Sequence, residues 1–182
     1  VQVARTLRRI VDRKTLAAEA TPQMYLRDYG DLLATRSGDI SWKEWTGIYE
    51  RLVSWDMRED ELERAGLAGS HRELHAEYNR AFSNFVAENY PAWVRGGDSP
   101  TLSVDVLDKF VLPHVQRGKQ VFFVVIDCMR LDQWRMIEPL LAPLFDIETE
   151  LYYGILPSAT GYARNALFSG LFPKEMAERH PQ

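Results

Sequence analysis

Three side chains in the C-terminal half could do chemistry together: Asp127, Thr160 and Arg164. Asp127 closes the apolar run Val121-Phe122-Phe123-Val124-Val125-Ile126. A carboxylate is a hard oxygen donor suited to zinc, magnesium or manganese. The same residue could instead cap or turn into the helix that follows. Thr160 ends the stretch Ile155-Leu156-Pro157-Ser158-Ala159-Thr160 and opens a helical pattern. Free amides and the helix dipole favour negative charge there, which suits a hydroxyl that accepts a phosphoryl group. A hydroxyl is a poor nucleophile at its own pKa, and metal coordination would ionise it. The competing role for Thr160 is the helix N-cap. Arg164, one turn later, could donate two parallel hydrogen bonds to a phosphate. Its competing role is an ion pair with one of the many acidic groups. Metal, hydroxyl and guanidinium together suit phosphoryl or sulfuryl transfer.

These residues need elements that hold them at one edge. The run 121–126 is apolar without alternation, the pattern of a strand covered on both faces. Leu131 to Leu144 reads as a helix, with Trp134, Ile137, Leu140, Leu141 and Leu144 on one side. Ile147 to Leu156 reads as a second strand, with Ile147, Thr149, Leu151 and Tyr153 on one face. Strand, helix and strand make a βαβ unit, with parallel strands and a right-handed crossover. In such a sheet ligands bind beyond the carboxyl ends of the strands. That rule puts Asp127 and Pro157–Thr160 in one site, ahead of a helix through Ala163, Leu167 and Phe168.

The first half reads as helices. Val3, Leu7, Ile10 and Val11 recur at helical spacing among basic residues, a solvated face rather than a nucleic-acid site. Thr21-Pro22 reads as an N-cap and first helical residue. Ser37-Gly38-Asp39 breaks that helix. Ser41 and Glu44 make a capping box, followed by Trp42, Trp45, Ile48, Tyr49, Leu52 and Trp55. Three Trp on one stripe read as core, with a ligand platform as the rival. Residues 56–69 read as a short helix or turn. Ser70 and Glu73 suggest a second capping box, for a helix that Pro91 ends near Tyr90. His71 and His75 have the i, i+4 spacing of zinc ligands, but no HExxH pattern or cysteine partner surrounds them, so they read as surface or core histidines. Arg95-Gly96-Gly97-Asp98-Ser99-Pro100 reads as a linker, giving domains 1–96 and 97–182.

Composition narrows the classes. The 182 residues carry a net charge of -4, which argues against coating nucleic acid. The single cysteine, Cys128, excludes an intrachain disulfide and fits a reducing cytoplasm. No apolar run approaches the roughly 20 residues of a membrane helix. The first residue is Val1, not Met, so the chain reads as a piece of something longer.

The stretch Phe122-Phe123-Val124-Val125-Ile126-Asp127-Cys128-Met129-Arg130-Leu131-Asp132-Gln133-Trp134 resembles the opening of the PglZ domain, of the alkaline phosphatase superfamily. So does Leu156-Pro157-Ser158-Ala159-Thr160-Gly161-Tyr162-Ala163-Arg164-Asn165-Ala166-Leu167-Phe168-Ser169-Gly170-Leu171-Phe172-Pro173. The helical half, with Trp42, Trp45, Asn89-Tyr90 and Trp93, is similar to the middle segment of PorX-type response regulators. Those join a receiver domain, a helical middle and a PglZ domain. The resemblance implies an α/β fold: an N-terminal helical bundle, then the first βαβα part of an alkaline-phosphatase-like sheet sandwiched by helices. It implies Asp127 as a ligand of a two-zinc site and Thr160 as a nucleophile that also touches metal. It implies a cytoplasmic two-component protein acting on phosphate esters, above all nucleotide diesters. The family pattern of Thr followed ten residues later by Gly, an apolar residue, an aromatic and Pro is met by Thr160, Gly170, Leu171, Phe172 and Pro173.

The chain departs from the family in three places. Ser158 stands where relatives often have Thr. Cys128 stands where polar residues or Gly are usual, and reads as a buried thiol rather than an extra ligand. The superfamily's other ligands are downstream Asp and His residues, and His180 is the sole His after Thr160. The zinc site is therefore expected to be incomplete, and this chain alone inactive. A rival reading makes the helical segment a dimerisation or signal-relay module, with a homodimer or a signalling protein as partner. A third makes Asp127 and Thr160 structural caps in a plain α/β domain.

Overall fold

The structure is a computed structural model and describes residues 21–35 and 38–180. The expected basic helix within residues 1–20 lies outside the described residues. The chain divides into two compact units, Val1–Asn89 and Tyr90–Gln182.

The first unit is helical. Residues 21–35 form α1, Trp42–Asp56 form α2, Glu59–Arg64 form α3 and Ala68–Val94 form α4, whose residues from Tyr90 on belong to the second unit. The capping box at α2 is present: Ser41 Oγ accepts from the Glu44 amide at 3.4 Å and the Ser41 amide donates to Glu44 Oε2 at 2.8 Å. The helix therefore starts where Ser41 can satisfy its first free amides.

The tryptophan stripe of α2 faces inward. Trp45 is 5% exposed, with Leu32, Ile48, Leu52, Leu74 and Tyr78 in one core cluster. Its ring meets Tyr78, Phe82 and Phe85 at centroid distances of 5.8, 5.2 and 5.8 Å. Trp55 joins a second cluster with Tyr25, Leu62 and Ala68. Trp42 is half-buried, under the Lys43 ammonium. Asp28 ties α1 to α2 by accepting from Arg51 and, at 2.7 Å, from Trp55 Nε1. Tyr78 donates to the Leu32 carbonyl at 2.6 Å.

Tyr25 gives this core a measurable signature. It is 1% exposed, and among the described residues its buried hydroxyl has no hydrogen-bond partner. Burial, then the nearby Tyr29 and Asp28, pushes its pKa from 10.0 to about 12. The fold therefore keeps the phenol protonated. Its contribution is fully present below about pH 10, the unfolded value, and is lost as pH rises through about 12. Tyr25→Phe removes an unpaired polar atom, so the variant is expected to gain about 1 kcal/mol at pH 7. It should also lose less stability than wild type between pH 10 and 12. Urea titrations at pH 7 and pH 11 check both; a variant less stable at both values would contradict this account.

The helix boundaries at Ser70 and Pro91 differ from the sequence reading. The helix expected at Ser70 begins at Ala68, so Ser70 lies inside it. Pro91 does not end α4, which runs on to Val94. Proline in a helix interior costs about 3 kcal/mol. Burial of Trp93, 5% exposed in the turn that follows, offsets that cost. The helix stops instead at the glycines: Gly96 has φ 83, and Gly97 donates to the Ala92 carbonyl at 3.0 Å.

The second unit contains a 3-10 turn at Ser103–Asp105, a π turn at Leu107–Val111, α5 at Leu112–Gln116, α6 at Leu131–Leu141, α7 at Thr160–Ser169 and α8 at Pro173–Arg179. The expected α/β sheet is not there. Among the described residues no strand forms, and the ladder is reduced to one parallel bridge, Leu102 to Tyr153. The run 121–126 is irregular backbone with one face bare: Phe122 is 90% exposed, Val124 77% and Ile126 62%.

The physical reason lies in the competing partners of the second run. Tyr153 is taken by the 101–103 segment, through Tyr153 N to Thr101 O at 2.8 Å and Ser103 N to Tyr153 O at 3.1 Å. The Thr149 side chain is held toward α6, its hydroxyl accepting from Trp134 Nε1 at 3.3 Å and donating to Glu138 Oε1 at 3.3 Å. Among the described residues the β-branched and aromatic run 121–126 has no ladder partner. Periodicity reports a preference for burial, and pairing needs a neighbour as well.

Candidate functional site

Thr160 is the first residue of α7, not its cap. The N-cap is Ala159, with φ -61 and ψ 139 and no side-chain cap. This corrects the capping role read from the sequence. Thr160 is exposed, and among the described residues its hydroxyl makes no hydrogen bond. Arg164 is also exposed, and no ion pair holds it among the described residues. The two are four residues apart on one helix, so they share a face.

The turn that delivers Thr160 is anchored just before it. Ile155 is fully buried and its amide donates to Ser103 Oγ at 3.2 Å. The Leu156 amide donates to the Tyr90 hydroxyl at 2.8 Å. Tyr153 packs edge-on against Trp93 at 5.5 Å. Sequence spacing gives no hint of this anchoring, because residues 90, 103 and 156 belong to different elements.

Downstream, α7 packs through Ala166 and Leu167 and ends at Gly170. Gly170 has φ 66 and donates to Ala166 O at 2.9 Å, a left-handed helix stop that favours glycine. Phe172 is then the N-cap of α8, its amide donating to Glu175 Oε2 at 2.9 Å, and Pro173 is the first helical residue. The Gly-apolar-aromatic-Pro pattern after Thr160 is therefore a helix stop joined to a helix start.

Asp127 lies in an exposed turn at the end of the 121–126 run. Its Oδ1 accepts from the Cys128 amide at 3.0 Å. Cys128 is exposed, not buried as its sequence context suggested, and has φ 59. A left-handed residue after Asp127 suits Gly, and Cys there is strained. The run lies against α7 at one point, where Phe123 meets Phe168 edge-on at 5.6 Å. Among the described residues Asp127 and Thr160 share no hydrogen bond.

Zinc needs four donors, three of them from protein even at a catalytic centre. Among the described residues no group of three His, Cys, Asp or Glu is arranged to hold a metal ion. The donor set around Asp127 is one carboxylate, and it does not by itself fit the two-zinc centre that the resemblance implies. The His71 and His75 pair is no centre either. Buried His71 sits on Asp56 with Nε2 at 2.8 Å from Oδ1, and His75 approaches the other oxygen at 3.4 Å.

Residues 15–94 match the family model of the PorX response regulator linker domain, and residues 106–181 match that of the BREX system PglZ alkaline phosphatase-like domain. The chain is thus similar to a PorX-type linker over residues 15–94 and to a PglZ-type domain over residues 106–181. No curated protein matches it. The PorX-type match spans the helices α1 to α4, and the PglZ-type match contains Asp127, Thr160 and Arg164. Among the described residues no helix is long and apolar enough to cross a membrane.

Proposed function

We propose that the PglZ segment hydrolyses phosphate esters, with diesters of a nucleotide kind as the substrate class, in a cytoplasmic two-component response regulator. Thr160 is the nucleophile and Arg164 the phosphate-binding cation. The observation that carries this reading is the first turn of α7. The helix is capped without Thr160, and Thr160 and Arg164 are both exposed on one face, with no hydrogen bond or ion pair on either side chain among the described residues.

In this reading Thr160 Oγ1 attacks phosphorus, the ester bond breaks, and the alcohol leaves with the proton from Thr160. Water then hydrolyses the phosphothreonine and restores the hydroxyl. Arg164 donates to the non-bridging oxygens, and the α7 amides add to the favourable field for an anion. Asp127 enters as a single metal donor, short of the set that zinc requires, so no step here passes through a metal.

Hydrogen bonds to charged groups are worth about 1.5–3 kcal/mol. Arg164→Ala is therefore expected to reduce kcat/KM for bis(para-nitrophenyl) phosphate by about 10–100-fold in the full-length protein, and Arg164→Lys by less. Unchanged kcat/KM in Arg164→Ala would remove Arg164 from the site.

A further inference from the structure

We propose that Tyr90, at the end of α4, is a positioning residue for Thr160. The inference rests on the reading of Thr160 as nucleophile and adds what sets its place. The backbone ahead of Thr160 is fixed at successive points: Tyr153 by Thr101 and Ser103, Ile155 by Ser103 Oγ, and Leu156 by the Tyr90 hydroxyl. Pro157 has no N–H to give. Among the described residues the next backbone hydrogen bonds along the chain are those of α7 itself, from Tyr162 and Ala163 to the Ala159 carbonyl, each at 2.9 Å. Among the described residues the Leu156 amide is thus the last hydrogen-bonded amide before the turn Pro157–Ala159, and the Tyr90 hydroxyl holds it at 2.8 Å.

Both ends of this bond lie in the unit Tyr90–Gln182. Tyr90 nonetheless falls inside the PorX-type match, and Leu156 and Thr160 inside the PglZ-type match. The last turn of the linker helix is therefore a handle on the nucleophile turn. A rotation or fraying of that turn moves the Leu156 anchor, four residues before Thr160.

The test is Tyr90→Phe, which keeps the ring that meets Trp93 at 6.3 Å and removes the hydroxyl. Two readouts are taken: amide exchange at Leu156 by NMR on this chain, and kcat and KM for bis(para-nitrophenyl) phosphate in the full-length protein. One neutral hydrogen bond corresponds to about a fivefold change. Leu156 exchange should quicken by at least about that factor while the α7 amides keep theirs, and kcat should fall with KM unchanged. Unchanged exchange at Leu156 would overturn the proposal. Faster exchange with unchanged kcat would reduce the bond to a structural contact and equally overturn it. If Thr160→Ala retains full turnover, the nucleophile reading fails and the positioning role falls with it, whereas the exchange result still reports the bond itself.

Discussion

Replacing Thr160 by alanine should abolish phosphate-ester hydrolysis in the full-length protein, a fall on the order of 10³-fold or more. Thr160→Ser should keep part of the activity, because it retains a hydroxyl at the first position of α7. The structure makes this substitution a clean test. Loss of a true N-cap would cost about 1 kcal/mol and confuse lost chemistry with lost fold. Here Ala159 is the cap, and alanine at the following helical position is a favourable residue. Thr160→Ala should therefore melt with wild type while losing turnover. Equal turnover in wild type, Thr160→Ala and Thr160→Ser would sink the nucleophile assignment.

The largest stability effect is expected at Trp45. Trp45→Ala removes the ring that Tyr78, Phe82 and Phe85 surround, and should cost about 3–5 kcal/mol. A domain holds only about 5–15 kcal/mol in total, so this single change takes much of the linker's stability. Urea denaturation followed by circular dichroism measures it. Trp45→Phe should recover a good part, because among the described residues the buried Trp45 Nε1 has no hydrogen-bond partner to lose. A ligand platform would behave otherwise: Trp45→Ala would leave stability within about 1 kcal/mol of wild type, as at exposed positions.

The helices of the linker were legible because their signals are local. Ser41 and Glu44 sit three residues apart and meet as a capping box. Trp45, Ile48, Leu52 and Trp55 repeat at helical spacing and are buried. Pro91 misled because burial of Trp93 two residues later is a tertiary effect that proline propensity does not contain. The sheet misled for the same kind of reason. Val121–Ile126 has strand composition, but a strand exists only when a neighbour pairs with it, and the Tyr153 backbone and the amides of Ile155 and Leu156 are bonded elsewhere.

At the candidate site, the helix after Thr160 follows from sequence, whereas its stop at Gly170 was read only as part of a family pattern. Ala159 as the cap does not, since its side chain offers nothing to read. Asp127 was placed at the end of its run by the apolar pattern, and its turn with Cys128 in a left-handed conformation appears only in the backbone. The anchors Tyr90 and Ser103 lie 66 and 52 residues from their partners Leu156 and Ile155, beyond any spacing rule.

The most direct test of the central claim is covalent capture. The full-length protein would be incubated with a radiolabelled phosphate diester, quenched in acid, digested and mapped by mass spectrometry. The account predicts phosphoryl label on the peptide containing Thr160, and none in Thr160→Ala. Turnover of the diester with Thr160 unlabelled, and equally fast in Thr160→Ala, would contradict it.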